Sequence, residues 1–146
     1  MSVRPTSQRV ADVRAKLQSE VDIWVASASE SGDTYLLPLS FYWDGTSLTI
    51  ATPQRSRTVR NLLRAGWARL ALGPTRDVVI IEGSVREIAV DADSILAEAH
   101  AQAVGFDARH EPGYVFIQVQ PRRIQAWRSP AELVERDVML DGEWLS

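Results

Sequence analysis

The chain has 146 residues, 45% of them hydrophobic, with 16 basic and 19 acidic side chains, a net charge of −3 and no cysteine. This fits one domain with a proper hydrophobic core rather than a disordered chain. It excludes disulfides, thiolate catalysis and Cys-ligated zinc or iron–sulfur centres, and with only His100 and His110 present a His-rich metal site is excluded too.

Residues 7–18 put Val10, Val13 and Leu17 on one stripe and predict a short N-terminal helix. VDIWVASAS (21–29) reads as a strand, which SESGD breaks. TYLLPLSFYW (34–43) is a second strand, alternating Tyr35, Leu37, Leu39 and Phe41 against Leu36, Pro38, Ser40 and Tyr42. Pro38 cannot donate to a ladder, which predicts one unpaired or bulged position. Asp44–Gly45 is a hairpin turn leading to the strand TSLTIAT (46–52). Helical spacing follows over 55–65, with Val59, Leu62 and Leu63 inward, Arg57, Arg60 and Arg64 outward, and Gly66 as C-cap.

WARLALG (67–73) and DVVIIEGSVREI (77–88) are strands, the second bent at Gly83. A second helix covers 91–104, capped by Asp91 or Asp93 and ended near Gly105. YVFIQVQPRRIQAW (114–127) is the last long strand, with an interruption expected at Pro121. The tail, 129–146, is expected to fold back or to cross to a partner. Some six strands at hairpin and meander spacing predict a mainly β, six-stranded antiparallel barrel with inserted helices, one domain over 1–146. No run of about 18 apolar residues marks a membrane span. The opening MSVRPTSQRVADV lacks the apolar centre of a signal peptide, so a cytoplasmic protein is expected.

Between Gly45 and Arg76 lie six arginines, at 55, 57, 60, 64, 69 and 76, and no carboxylate. The rest of the chain carries ten basic against nineteen acidic residues, a net of −9. A positive island in an acidic chain points to one localised anion, most simply a ligand's phosphate, rather than to nucleic acid. At its centre, TPQRSRTVRNLL joins a strand ending at Thr52 to a helix starting near Ser56. A helix start exposes unpaired N–H groups and the positive end of its dipole. Ser56 and Thr58 add hydroxyls, Arg57 adds a bidentate fork, and Asn61 lies one turn beyond. The competing account makes Ser56 a plain cap and the arginines a solvated face. The absence of acids over thirty-two residues weighs against it, because solvated helices usually mix signs.

Neither GxxxxGK(S/T) nor GxGxxG occurs, which speaks against nucleotide hydrolysis and a Rossmann site. No acid–base set is visible, and no catalytic residue is assigned. His100 reads as a surface or partly buried helix residue and His110, in ARHEPG, as an exposed loop residue. Glu82 and Glu87 are strand carboxylates available to Arg86 or to arginines elsewhere. The five tryptophans, Trp24, Trp43, Trp67, Trp127 and Trp144, are many for this size, enough to cover a flat ligand or a subunit contact beside core packing. A phosphate site without a protein nucleophile suits a cofactor that brings its own chemistry, as flavins and deazaflavins do.

The ordered set DIWVASAS, YLLPLSFYWDG, TPQRSRTVRNL, DVVIIEGSVREI and RIQAW resembles the pyridoxamine 5'-phosphate oxidase-like split barrels over about residues 20–128. The resemblance implies that Ser56, Arg57 and Thr58 hold a cofactor phosphate, with Thr52 and Asn61 beside them. It implies that the backbone of Leu37, Pro38, Leu39 and Ser40 follows the ring edge. Trp127 would approach the cofactor from the closing strand or pack between subunits. The family implies a homodimer with its site at the interface, FMN or the deazaflavin coenzyme F-420 as cofactor, and a small conjugated substrate that receives hydride or electrons. No nucleic-acid or membrane partner is implied. The alternative is a non-catalytic flavin-binding or sequestering protein.

Two departures stand out. Thr58 occupies a position where the family often has lysine, leaving Arg55 or Arg60 to compensate. The basic, histidine-bearing C-terminal sequence of true pyridoxamine phosphate oxidases is missing, so oxidation of that vitamer is not expected. VRNLLRAG looks more like the branch that includes deazaflavin-dependent reductases. The acidic tail of that cofactor would need a basic groove, for which Arg60, Arg64 or Arg69 are the candidates.

Overall fold

The computed structural model describes residues 2–146. Helix α1 (Thr6–Ser19) buries Val10, Val13 and Leu17, as its periodicity requires, and is followed by β1 (Asp22–Ala28), β2 (Thr34–Trp43) and β3 (Leu48–Pro53). At the β2–β3 turn the Asp44 carboxylate accepts hydrogen bonds from the backbone N–H groups of Thr46 (2.8 Å) and Ser47 (2.7 Å). Helix α2 (Arg57–Ala65) is closed by Gly66 at φ 71°, a left-handed position that suits glycine. Then come β4 (Trp67–Leu72), β5 (Val78–Ala89), α3 (Ser94–Val104) and β6 (Tyr114–Trp127). Asp93, not Asp91, caps α3, accepting from the Leu96 N–H at 3.0 Å.

The strands form a closed antiparallel barrel in the order β3-β2-β1-β4-β5-β6, with β3 pairing back onto β6 from Leu48↔Val119 to Pro53↔Tyr114. Its interior holds Ile23, Val25, Phe41, Ile50, Leu70, Ile81, Ile117 and Ile124, with Val59 and Leu62 of α2 in the same cluster. A second cluster lies under α3, where Leu96 and Ala97 meet Ala51 and Phe116. Leu63 is exposed rather than inward, and Thr58 and Asn61 are buried in its place. At about 100° per residue, Leu63 follows Leu62 out of the packed face.

Gly83 and Pro121 are partners rather than separate breaks. The β5–β6 register runs Glu82↔Arg123 and then Gly83↔Pro121, so Arg122 is the extra residue of a bulge. A Cβ on Gly83 would sit 2.3 Å from the Gln120 carbonyl oxygen, so glycine is required where the strands bend. Strand β6 therefore continues through Pro121 without interruption.

The tail folds back. A 3₁₀ turn (Pro130–Glu135) leads to β7 (Asp137–Leu140), which pairs with the distal part of β6, and to β8 (Glu143–Trp144). It is clasped to α1 by ion pairs from Arg4 to Glu132 (2.8 Å) and to Asp12 (3.0 Å). Arg128 and Lys16 meet on Asp77, at 3.0 and 2.6 Å, and Arg14 lies over the Trp144 ring. Arg9, 1% exposed, donates to the Glu135 carbonyl, a buried cation the helical stripe did not reveal.

Candidate functional site

The barrel is split. Strand β2 pairs with β1 along Thr34–Ser40, but with β3 only at Phe41, Tyr42 and Trp43. The Phe41 N–H donates to the Val21 carbonyl, so odd-numbered residues of β2 direct their backbone groups to β1. Backbone direction alternates along a strand, so Leu36, Pro38 and Ser40 turn theirs to the open side. Pro38 thus sits where its missing N–H costs no ladder bond, and the β1–β2 register passes through Trp24↔Pro38 without a bulge. Of the four β2 residues implied along a ring edge, Pro38 and Ser40 offer backbone oxygens to the gap, while Leu37 and Leu39 bond to β1.

The gap is a cleft of about 410 Å³ between Pro38, Leu39 and Ser40 on one side and Ala51 and Thr52 on the other, with Phe106 and Tyr114 beneath α3 and Asp22 at one end. The Ser40 hydroxyl donates to Asp22 Oδ1 at 3.0 Å. Neither Phe106 nor Tyr114 was singled out from the sequence. Tyr114 was accessible in principle, since pairing β3 with β6 sets it opposite Pro53.

Helix α2 begins just past Pro53. Ser56 Oγ accepts from the Val59 N–H at 3.2 Å, which leaves its proton free to donate. Thr58 is 1% exposed, and its Oγ1 has no hydrogen-bond partner among the described residues. Asn61 Nδ2 donates to Ser27 Oγ at 3.1 Å, tying the helix to the end of β1. The Arg57 guanidinium carbon lies 4.9 Å from the centre of the Tyr35 ring. The first turn holds no acid.

The arginines differ in their partners, and Arg76, Arg122 and Arg136, away from the start of α2, are exposed with no carboxylate partner among the described residues. Arg4, Arg69, Arg109, Arg123 and Arg128 are ion-paired. Arg64 donates to the Ala28 carbonyl at 2.7 Å and Arg86 to Gln118. Arg55, Arg57 and Arg60, all exposed, have no carboxylate partner among the described residues. Of the three tail-groove candidates, Arg64 and Arg69 are thus engaged, Arg69 with Glu82 at 2.6 Å. Glu87 accepts from Gln54 rather than from Arg86.

Trp127 lies at the far end of β6, opposite Val78, and does not line the cleft within one chain. His100 is not a surface residue. It is fully buried between Phe116 and Phe106, with both ring nitrogens unpartnered, and desolvation lowers its pKa from 6.5 to about 4. Periodicity alone could not separate it from a solvated helix residue, because His is compatible with both faces. His110 is exposed, 3.9 Å from Asp107. The Arg109 guanidinium holds the Asp107 carboxyl down at about 2.

A six-stranded barrel split along one seam, with a helix start and unpaired arginines at the seam's end, is the split-barrel architecture. The family model described as pyridoxamine 5'-phosphate oxidase matches residues 10–128, and the chain belongs to that family. No curated protein matches the chain. Among solved structures it is similar to General Stress Protein 26 of Bacillus anthracis, with a TM-score of 0.67 and 16% identity over 81% of this chain and 92% of that one. An F-420 reductase aligns with a TM-score of 0.63 and 14% identity, over 76% and 94% of the two chains. A heme binding protein from Mycobacterium smegmatis aligns with a TM-score of 0.73 and 16% identity, over 97% of this chain and 60% of the other. At these identities the likeness is one of fold.

Proposed function

We propose that the chain binds a flavin-type cofactor through its phosphate and acts as a homodimeric oxidoreductase on a small conjugated substrate. The observation that carries this reading is the start of α2. Three guanidiniums without acid partners and a buried, unpartnered Thr58 hydroxyl gather there, at one end of the open β2 edge. A buried hydroxyl without a partner is costly unless a ligand satisfies it. The site therefore fits a phosphate, with Ser56, Arg57 and Thr58 as its donors.

When bound, the cofactor would supply hydride or electron transfer. The chain's own part is to hold and orient. The open carbonyls of Pro38 and Ser40 would accept hydrogen bonds from a ring edge, while Leu39, Phe106 and Tyr114 would exclude water from its faces. Trp24 of β1, Leu36 of β2 and Trp67 of β4, 49%, 60% and 41% exposed, lie on the outward face of three adjacent strands, and a second copy of the chain is the natural cover for them. FMN is the favoured cofactor, because two of the arginines that would receive a long acidic tail are engaged elsewhere. The deazaflavin F-420 is the alternative.

Anaerobic titration with FMN and with the deazaflavin, side by side and followed by absorbance, tests the reading. Saturable binding of one of them is expected, and binding of neither sinks it. A second reading, a flavin-holding protein without turnover, draws on the fact that neither histidine reaches the cleft. Bound cofactor that is reduced but passes its electrons to no acceptor would favour it.

A further inference from the structure

We propose that Tyr35 is a positioning residue for the phosphate, acting through Arg57. This rests on the reading of the α2 start as a phosphate cradle. Of the three unpaired arginines there, Arg57 is the one with a fixed side-chain contact, its guanidinium carbon 4.9 Å from the Tyr35 ring centre. Tyr35 is itself held in place. It is half-buried on β2 and paired with Ser27, whose hydroxyl accepts from Asn61 of the same helix. Tyr35, Ser27 and Asn61 thus form a platform linking β2, β1 and α2, and Arg57 lies against it.

An exposed arginine loses much of its side-chain freedom when a ligand immobilises it. A ring that already restrains the guanidinium removes part of that cost before the anion arrives. Tyr35 touches no phosphate in this account. It sets how much of the cofactor's affinity the phosphate contributes.

The test measures that contribution by titrating wild type, Tyr35→Phe and Tyr35→Leu with FMN and with riboflavin, which lacks the phosphate. Tyr35→Phe keeps the ring face and should retain the wild-type preference for FMN over riboflavin. Tyr35→Leu keeps apolar bulk without the π face. It should lower that preference about two- to five-fold, as expected for a partly exposed cation–π contact, and leave riboflavin affinity unchanged. Tyr35→Ile, which likewise removes the π face and suits a strand, serves as the readout if Tyr35→Leu does not fold. Equal losses for FMN and riboflavin, or an unchanged preference for FMN, in whichever of Tyr35→Leu and Tyr35→Ile folds would overturn the role of Tyr35. A wild type that binds FMN no better than riboflavin would overturn the cradle itself, and this inference with it.

Discussion

Replacing Thr58 with valine should raise the stability of the free protein and weaken cofactor binding. Thr58 is 1% exposed, and its hydroxyl meets no donor or acceptor among the described residues. Leaving such a group unpaired costs about 1–3 kcal/mol, and valine matches threonine in shape while removing the polar atom. With part of that cost recovered, about 1 kcal/mol, the melting temperature of a chain this size should rise by roughly 2–4 °C. A phosphate would give the hydroxyl a charged partner, and such bonds are worth about 1.5–3 kcal/mol. FMN affinity should therefore fall by about ten-fold or more. Calorimetric melting of the free protein and FMN titration of both proteins measure the two effects. A lower melting temperature in Thr58→Val would mean the hydroxyl is satisfied in the free protein. Unchanged FMN affinity would mean it does not face the phosphate. Either result refutes the reasoning.

Arg57→Ala should weaken FMN binding by at least ~1.5 kcal/mol, as loss of a charge-assisted contact requires, and titration would expose a wrong assignment as unchanged affinity. Gly83→Ala should destabilise the barrel by about 1–3 kcal/mol, since the new Cβ would meet the Gln120 carbonyl at 2.3 Å, and an unaltered urea midpoint would contradict the bulge. His100 should make stability depend on acid. Desolvation lowers its folded pKa to about 4, slightly opposed by the Asp107 charge, so the unfolded chain takes up the proton first. Its contribution is complete above about pH 6.5 and is lost as pH falls towards 4. His100→Phe should flatten the denaturation profile in that window, and an equal slope in both proteins would show that other groups govern it.

The elements were legible because their signals are local. Asp44–Gly45, Ser56 and Gly66 mark their turn and caps through backbone chemistry, and the strands through alternation. The proposed cradle could be picked out for the same reason, since Ser56, Arg57 and Thr58 are adjacent in sequence and the missing acids can be counted. What could not be read depends on register. The phase of β2, set by the Phe41–Val21 bond, decides that Pro38 and Ser40 rather than Leu37 and Leu39 turn to the gap. The contact of Arg57 with Tyr35 spans twenty-two residues and two strands, which no spacing rule reaches. His100 was misjudged and Arg9 passed over because residue type argues for exposure, while tertiary packing buries both.

The clasp between the ends of the chain bears on how the molecule forms. Arg4 and Glu132 are separated by 128 residues, and Arg9 reaches Glu135 across 126. Until the last segment has been synthesised, the Arg9 guanidinium has no Glu135 carbonyl to receive it, and the distal edge of β6 lacks β7. Pairings of such high contact order are made late and slowly, because loop closure must precede any gain from them. The end of the barrel at α1 should therefore be the last to set during folding, well after the hairpin of β2 and β3.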